Sequence, residues 1–231
     1  MNSLLARRAQ LLAMQGALVV SCQPVEGGPL DDDEIVVRMA QAVLSGGAHA
    51  VRIEGAARVA RVSQMVAAPV IGIVKRDLQA SPIRITPDLD DVAALLAAGA
   101  DVVAVDGTAR PRPVPVATLL SAIHAGGALA MADCACLADA LAAHKLGFDI
   151  VGTTLSGYTG GPVPDAPDFA LLAALVAAGL PRVMAEGRIN SPAQAAQAIA
   201  LGAWGVTVGT AITRVETVAG WFASAVARRS A

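Results

Sequence analysis

Eight short runs of β-forming residues alternate with alanine-rich segments along the whole chain, at intervals of about 20 to 35 residues. Most of these runs are continuous stretches of Val, Ile, Ala and Met, which is typical of parallel strands that are buried on both faces. Eight strand-helix units without a break in composition predict an α/β protein, a single (β/α)8 barrel over residues 1–231 with a short N-terminal extension of about 1–16. The predicted strands are Ala17–Cys22, Ala48–Ile53, Val70–Lys75, Val102–Asp106, Ala128–Asp133, Asp149–Val151, Arg182–Glu186 and Gly205–Val208.

Glycine marks the end of several segments between these strands, as expected where a helix stops in a left-handed residue. Ser191-Pro192-Ala193-Gln194 has the pattern of a helix N-terminal capping box. A doubly wound open sheet is the alternative fold, but no Gly-x-Gly-x-x-Gly follows the first strand. The predicted helices are Glu34–Ser45, Asp90–Ala98, Leu137–Leu146 and Ala193–Leu201.

Composition argues against several classes of partner. A net charge of −2 and an aromatic content of 3% favour neither a basic nucleic-acid surface nor an RNA-stacking platform. The apolar stretches 113–132 and 189–213 are interrupted by proline and glycine, so no membrane span is expected. Val19-Val20-Ser21-Cys22 resembles the end of a lipoprotein signal, but it fits better as the first strand of a cytoplasmic enzyme.

The predicted strands end in polar residues. In a (β/α)8 barrel the chemistry lies at the C-terminal ends of the strands, so we expect these side chains to share one rim. The third strand ends in Lys75, and burial would lower the pKa of its amine enough for general-base work. Schiff-base chemistry and a structural ion pair with Glu186 or Asp133 are the alternatives for this lysine. The other polar residues are Gln23, Arg52, Asp106, Asp133, Thr153, Glu186 and Thr210.

The last two strand ends suggest a phosphate site. Gly187 and Gly209 let backbone N–H groups approach an anion, and a short helix over 210–213 would point its N-terminus at it. Arg214 can add a positive charge. Three cysteines, Cys22, Cys134 and Cys136, are interpreted as packing residues, and no metal-ligand cluster is evident.

Motifs over about residues 17 to 225 resemble those of the N-acetylmannosamine-6-phosphate 2-epimerase family. The most specific of them are Val74-Lys75-Arg76-Asp77 and the stretch Gly152-Thr153-Thr154-Leu155-Ser156-Gly157-Tyr158-Thr159. The other matching stretches are Ser21-Cys22-Gln23, Ile85-Thr86-Pro87, Arg110-Pro111-Arg112-Pro113, Met131-Ala132-Asp133, Ala185-Glu186-Gly187-Arg188 and Val208-Gly209-Thr210-Ala211-Ile212-Thr213-Arg214.

The resemblance implies a metal-free, cofactor-free barrel that converts N-acetylmannosamine 6-phosphate to N-acetylglucosamine 6-phosphate in sialic acid breakdown. It implies that Lys75 is the catalytic acid/base and that Glu186 is its assisting carboxylate. It further implies substrate contacts from Gln23, Arg52, Asp133, Thr153 and Tyr158, and a phosphate site formed by Gly187, Arg188, Gly209, Thr210 and Arg214.

The chain departs from the family pattern at three places on the rim, Ile53-Glu54-Gly55, Gly107-Thr108-Ala109 and Cys134-Ala135-Cys136. Other functions therefore stay open at this point. They are another phosphosugar isomerase, a Schiff-base aldolase acting through Lys75, and a non-catalytic phosphosugar-binding barrel. A homodimer with Trp221-Phe222 as a candidate contact is one arrangement that the apolar helix faces allow.

Overall fold

The computed structural model of the protein describes residues 2–227, and its eight parallel strands close into one barrel in sequence order. Each strand pairs with its two neighbours along the chain, and β1 pairs with β8 to close the sheet. This architecture confirms the predicted (β/α)8 fold. The strands are β1 (Ala17–Cys22), β2 (Ala50–Glu54), β3 (Val70–Ile73), β4 (Val102–Asp106), β5 (Leu129–Asp133), β6 (Ile150–Gly152), β7 (Val183–Glu186) and β8 (Gly205–Val208).

Helices connect the strands around the outside of the barrel. The helices are α1 (Asn2–Ala13), α2 (Asp33–Ser45), α3 (Ala56–Met65), α4 (Leu89–Ala97), α5 (Val116–Ala125), α6 (Leu137–Leu146), α7 (Phe169–Ala177), α8 (Pro192–Ala200), α9 (Thr210–Thr213) and α10 (Val215–Ala227). The five helices whose bounds the sequence predicts, α2, α4, α6, α8 and α9, begin and end within a residue of those positions, because local signals such as side-chain caps and glycines fix most of them. Asp32, Asp88, Asp168 and Ser191 each accept a backbone N–H at a helix N-terminus.

Strand β2 runs over Ala50–Glu54 rather than Ala48–Ile53, and no bounds were predicted for helix α3. Helix α3 has no side-chain cap and no glycine stop, so it lacks the local signals that mark the longer predicted helices. Strand β3 ends at Ile73 rather than at Lys75, which lies two residues farther on and pairs with Ile85 in an antiparallel bridge.

The N-terminal extension forms α1, which covers the end of the barrel where the strands begin. Leu11 is fully buried in the cluster of side chains that fills the barrel interior. Arg7 Nε lies 3.3 Å from a carboxylate oxygen of Asp101, the residue that precedes β4. With this end closed, the opposite rim is the open one. Within residues 2–227 no helix combines the length and apolar character needed to cross a bilayer.

Candidate active site

A pocket of about 410 Å³ opens at the C-terminal ends of the strands, where the sequence places the polar rim. It brings together most of the residues singled out from the sequence. Those that line it are Gln23, Arg52, Lys75, Asp106, Tyr158, Glu186, Gly187, Arg188, Gly209, Thr210 and Arg214. Asp133 and Thr153 are not among the lining residues.

Lys75 lies at the mouth of the pocket. Its Nζ donates a hydrogen bond to Gln23 Oε1 at 2.5 Å, and its backbone N–H donates to Glu54 Oε1 at 3.3 Å. The side chain is open to water, but protein atoms surround its ammonium group. This desolvation lowers the pKa of Lys75, and the positive charges of Arg52 and Arg214 lower it further. A larger fraction of a lysine in this setting is neutral near pH 7 than of one on the surface, and only the neutral amine can accept a proton.

Arg52 of β2 forms a buried ion-pair network beneath the pocket. Its Nη2 lies 2.6 Å from Asp133 Oδ2, and its Nη1 lies 3.2 Å from both Asp133 Oδ1 and Glu186 Oε2. The side chains of Arg52 and Asp133 are 1% and 0% exposed. Burial alone would lower the pKa of the guanidinium, but the two carboxylates raise it, so Arg52 stays charged.

Glu186 ends β7 and joins this network to the open pocket. Burial raises the pKa of its carboxyl, while Arg52 and the hydroxyls of Thr154 and Thr207 favour the ionised form. A carboxyl group whose pKa is raised toward neutrality can exchange a proton with a substrate near pH 7. Lys75 and Glu186 therefore both line the pocket with pKa values moved toward the range in which proton transfer occurs.

Asp133 and Thr153 occupy supporting positions rather than the pocket surface. The Asp133 carboxylate accepts hydrogen bonds from Arg52 and, at 2.6 Å, from Thr154 Oγ1. The Thr153 hydroxyl donates to the Glu186 carbonyl at 2.8 Å and accepts from the Glu186 N–H at 3.0 Å. These two residues hold Arg52 and Glu186 in place. Of the neighbouring residues Thr153 and Thr154, Thr154 is the one that lines the pocket.

The predicted phosphate residues gather on one side of the pocket. Gly187 has a φ of 102°, which side-chain-bearing residues rarely adopt, and Gly209 caps the short helix α9. Arg214 follows α9, and its Nε donates to the Gln23 carbonyl at 3.1 Å. Arg214 also lines the pocket, so its charge lies at the pocket wall.

Arg188 has a different environment from the one that the sequence suggests. Its guanidinium donates to the carbonyls of Ser156 and Ala166, at 2.6 and 2.7 Å, and lies 5.2 Å from the centre of the Tyr158 ring. It therefore fastens the loop after β6 over the pocket, with Tyr158 stacked beneath the charge.

The structure also brings residues to the pocket that sequence reasoning missed. Arg84 and Arg110 line it, and Arg110 Nη2 lies 2.5 Å from Oδ2 of Asp106, the strand-end carboxylate predicted for this rim. Arg110 belongs to the Arg-Pro-Arg-Pro motif, which was the available signal, whereas Arg84 follows no predicted strand. Five arginines and Lys75 line the pocket against two carboxylates, Asp106 and Glu186. This excess of positive charge suits an anionic ligand.

The cysteines fit their predicted packing role only in part. Cys22 and Cys134 are buried, and burial raises the pKa of the Cys22 thiol to about 12. Cys136 instead is exposed at the N-terminus of α6, because the cap position of a helix leaves its side chain outside the core.

Comparison with known proteins gives consistent matches over almost the entire chain. Residues 36–228 match a family model described as "Putative N-acetylmannosamine-6-phosphate epimerase". Proteins named "Putative N-acetylmannosamine-6-phosphate 2-epimerase" from Klebsiella pneumoniae strain 342 and Escherichia coli K12 / DH10B are 58% and 56% identical over 223 residues. Each alignment covers 96% of this chain, with 95% and 97% of the relatives.

Solved structures agree with these matches. The N-acetylmannosamine-6-phosphate 2-epimerase from Clostridium perfringens superposes with a TM-score of 0.89 at 41% identity, covering 93% of this chain and 95% of that one. A thiamine phosphate pyrophosphorylase from Pyrococcus furiosus, with a TM-score of 0.62 at 21% identity, shares the fold. This chain therefore belongs to the N-acetylmannosamine-6-phosphate 2-epimerase family.

Proposed function

We propose that this protein interconverts N-acetylmannosamine 6-phosphate and N-acetylglucosamine 6-phosphate by removing and returning the proton at C2. The proposal rests on one observation: Lys75 and the Arg52–Glu186 ion pair line the same positively charged pocket at the mouth of the barrel. Membership of the epimerase family supports the choice of substrate. The pathway that this reaction serves is sialic acid and amino sugar breakdown.

Lys75 is proposed as the base. In the open-chain sugar C2 is adjacent to the C1 aldehyde, so removal of its proton gives an enolate rather than a localised carbanion. The neutral amine of Lys75 takes this proton, and the nearby positive charge of Arg52 favours the enolate electrostatically. Since Arg52 is held by Asp133 and Glu186, its charge is in place before substrate arrives.

Glu186 is proposed as the assisting carboxyl. Its raised pKa suits an exchange of protons with the sugar oxygens or with the second face of C2. If Lys75 serves both faces, the intermediate rotates between removal and return of the proton. If Glu186 serves the second face, no rotation is needed.

Substrate positioning is assigned to the remaining pocket residues. Gly187, Arg188, Gly209, Thr210 and Arg214 are proposed to hold the phosphate, and Arg188 also shapes that side through its loop contacts. Gln23 links the two regions, since its side chain contacts Lys75 and its carbonyl accepts from Arg214. Gln23, Thr154 and Tyr158 are proposed to contact the sugar, with Asp133 and Thr153 acting through the residues they hold.

The test is to incubate the protein with N-acetylmannosamine 6-phosphate in D2O and follow C2 by NMR. We expect the second epimer to appear together with deuterium at C2. Covalent trapping of the sugar on Lys75 by borohydride without epimer formation would instead identify a Schiff-base aldolase. Binding of the sugar without exchange or turnover would identify a non-catalytic phosphosugar-binding barrel.

We also propose a cytoplasmic homodimer that binds no nucleic acid. The proposed cytoplasmic location follows from the substrate, because a phosphorylated sugar does not cross a bilayer unaided. Helix α10 supports dimer formation, since it buries none of its residues and leaves Trp221 and Phe222 40% and 70% exposed. Sedimentation of the wild type and of a Phe222→Ser variant measures the oligomeric state.

A further inference from the structure

The sheet opens between β3 and β4 on the side of the pocket. Only Ile71 with Val102 and Gly72 with Val103 pair between these two strands. Beyond them the chain turns back and inserts Ile85 into the gap. Ile85 pairs with Lys75 in an antiparallel bridge, and its carbonyl accepts the Asp106 N–H at 3.0 Å. We call residues 74–86 the inserted arm.

The inserted arm carries much of one pocket wall. Lys75, Pro82, Arg84 and Ile85 all line the pocket. Ile85 is also packed into the barrel interior, so the arm is anchored through its returning limb. The position of Lys75 is therefore set by the contacts that join the outgoing and returning segments of the arm to β4. The regular hydrogen bonds between sheet strands do not set it.

Thr86 makes that junction. Its backbone N–H donates to the Val74 carbonyl at 2.7 Å. Its hydroxyl donates to the Ala104 carbonyl of β4 at 2.7 Å and accepts the Val74 N–H at 3.3 Å. The side chain is completely buried. One hydroxyl thus joins the residue before Lys75 to the neighbouring strand.

The backbone of Thr86 is strained. Its φ is +46°, a left-handed conformation that β-branched residues rarely adopt. Pro87 follows, and the residue before a proline normally takes an extended conformation. Such a conformation persists only where the surrounding contacts over-determine it, and it occurs preferentially at functional sites. The three hydrogen bonds of Thr86 are the contacts that do so here.

We propose that Thr86 is a positioning residue that holds Lys75 at the pocket mouth by joining the inserted arm to β4. The proposal rests on the proposed function, since it assigns Thr86 a part in the proton transfer by Lys75. Thr86 itself has no contact with the pocket surface and takes no part in the chemistry.

The test compares Thr86→Val, which keeps the shape but loses the hydroxyl, with Thr86→Ser, which keeps the hydroxyl. For Thr86→Val we expect kcat to fall by about 10- to 100-fold, because a small displacement of a catalytic group has this cost. KM should change by less than about threefold, since the phosphate residues stay in place. Thr86→Ser should restore kcat to within about threefold of wild type. Ser63→Ala is the matched control, because the Ser63 hydroxyl also donates to a carbonyl, that of Ala98, at 2.9 Å, but at the end of the barrel where the strands begin.

The pH dependence of kcat/KM distinguishes a displaced Lys75 from a general loss of stability, because a loss of stability alone does not shift the pKa of Lys75. Arg52 and Glu54 of β2, Arg84 of the arm and Arg214 after α9 are the charged groups that act on Lys75. Moved away from the three arginines and from the protein atoms around its ammonium group, Lys75 should titrate nearer its usual pKa of 10.5. The limb of the kcat/KM profile that depends on Lys75 should therefore move to higher pH in Thr86→Val. A wild-type kcat and profile in that variant, or an equal loss in Ser63→Ala, would overturn the proposal.

A second variant and a chemical-modification assay test the role of Thr86 if Thr86→Val does not fold or if the wild type shows no turnover. If Thr86→Val does not fold, Thr86→Ala is judged by the same criteria. The pH dependence of acetylation of Lys75 by acetic anhydride, read by peptide mass spectrometry, is independent of turnover. If the wild type does not epimerise the sugar, the proposed function fails, and the acetylation midpoint then decides the role of Thr86. An unchanged midpoint in the folded variant overturns that role.

Discussion

The guanidinium of Arg52 donates two hydrogen bonds, of 2.6 and 3.2 Å, to the carboxylate of Asp133 at the floor of the pocket. Both side chains are excluded from water, so each charge depends on the other. Glu186 lies 3.2 Å from the same guanidinium and is open to the pocket. A change at Asp133 therefore alters both the stability of the barrel and the charge beside the substrate.

Asp133→Asn should destabilise the protein by about 3 kcal/mol, the lower end for breaking a buried ion pair, because Glu186 still pairs with Arg52. Urea denaturation measures the free energy of unfolding. Glu34→Gln is the control, since it removes the exposed pair with Arg38 and should cost less than about 0.5 kcal/mol. Equal effects of the two substitutions would contradict the role given to Asp133.

Lys75→Ala should lower turnover by at least about 10²–10⁴-fold, the contribution typical of general acid–base catalysis. The rim is open, so water fills the space and the melting temperature should change little. Exchange of the C2 hydrogen with deuterium should stop. Lys145→Ala, at an exposed position of α6, should behave as wild type. Near-normal turnover by a folded Lys75→Ala variant would contradict the proposed mechanism.

Glu186→Gln separates the one-base from the two-base reaction. If Lys75 serves both faces, this variant should turn over slowly and still place deuterium at C2 of both epimers. If Glu186 is the second base, deuterium should enter only one epimer. The measurement is NMR of the sugar in D2O after partial conversion from each side. Absence of any change in rate would show that Glu186 takes no part.

Arg214→Ala should weaken binding of the phosphorylated sugar by roughly 1.5–3 kcal/mol, the value of a hydrogen bond to a charged group. Calorimetric titration of the variant and of wild type gives the difference. Arg61→Ala, on the exposed face of α3, is the control and should bind normally. If wild type turns over the unphosphorylated sugar equally well, the phosphate assignment is wrong.

Catalysis should survive prolonged treatment with EDTA. No group of three His, Cys, Asp or Glu side chains within residues 2–227 is arranged to hold a metal ion, and Lys75 is the proposed base. The epimerisation rate before and after chelation is the measurement. Loss of activity that zinc or magnesium restores would show that a metal is required.

Local signals in the sequence determined the barrel and much of the site. Apolar runs, helix caps and glycine stops depend on neighbouring residues, so the eight strands could be placed from the chain alone. The rim followed, because parallel strands present their C-terminal ends on one side. Lys75 and Glu186 were predicted for the pocket on this ground, and both line it.

Only the tertiary structure decided how deep each rim residue lies and what it contacts. Asp133 is covered by Arg52, a residue 81 positions earlier in the chain, and so supports the site from below. Arg84 reaches the pocket because Ile85 enters a gap between two strands, and the strained Thr86 joins the arm to β4. The ion pair of Arg52 with Asp133, the insertion of Ile85 and the strained backbone of Thr86 all depend on contacts between residues far apart in sequence. A local sequence pattern does not reveal such contacts.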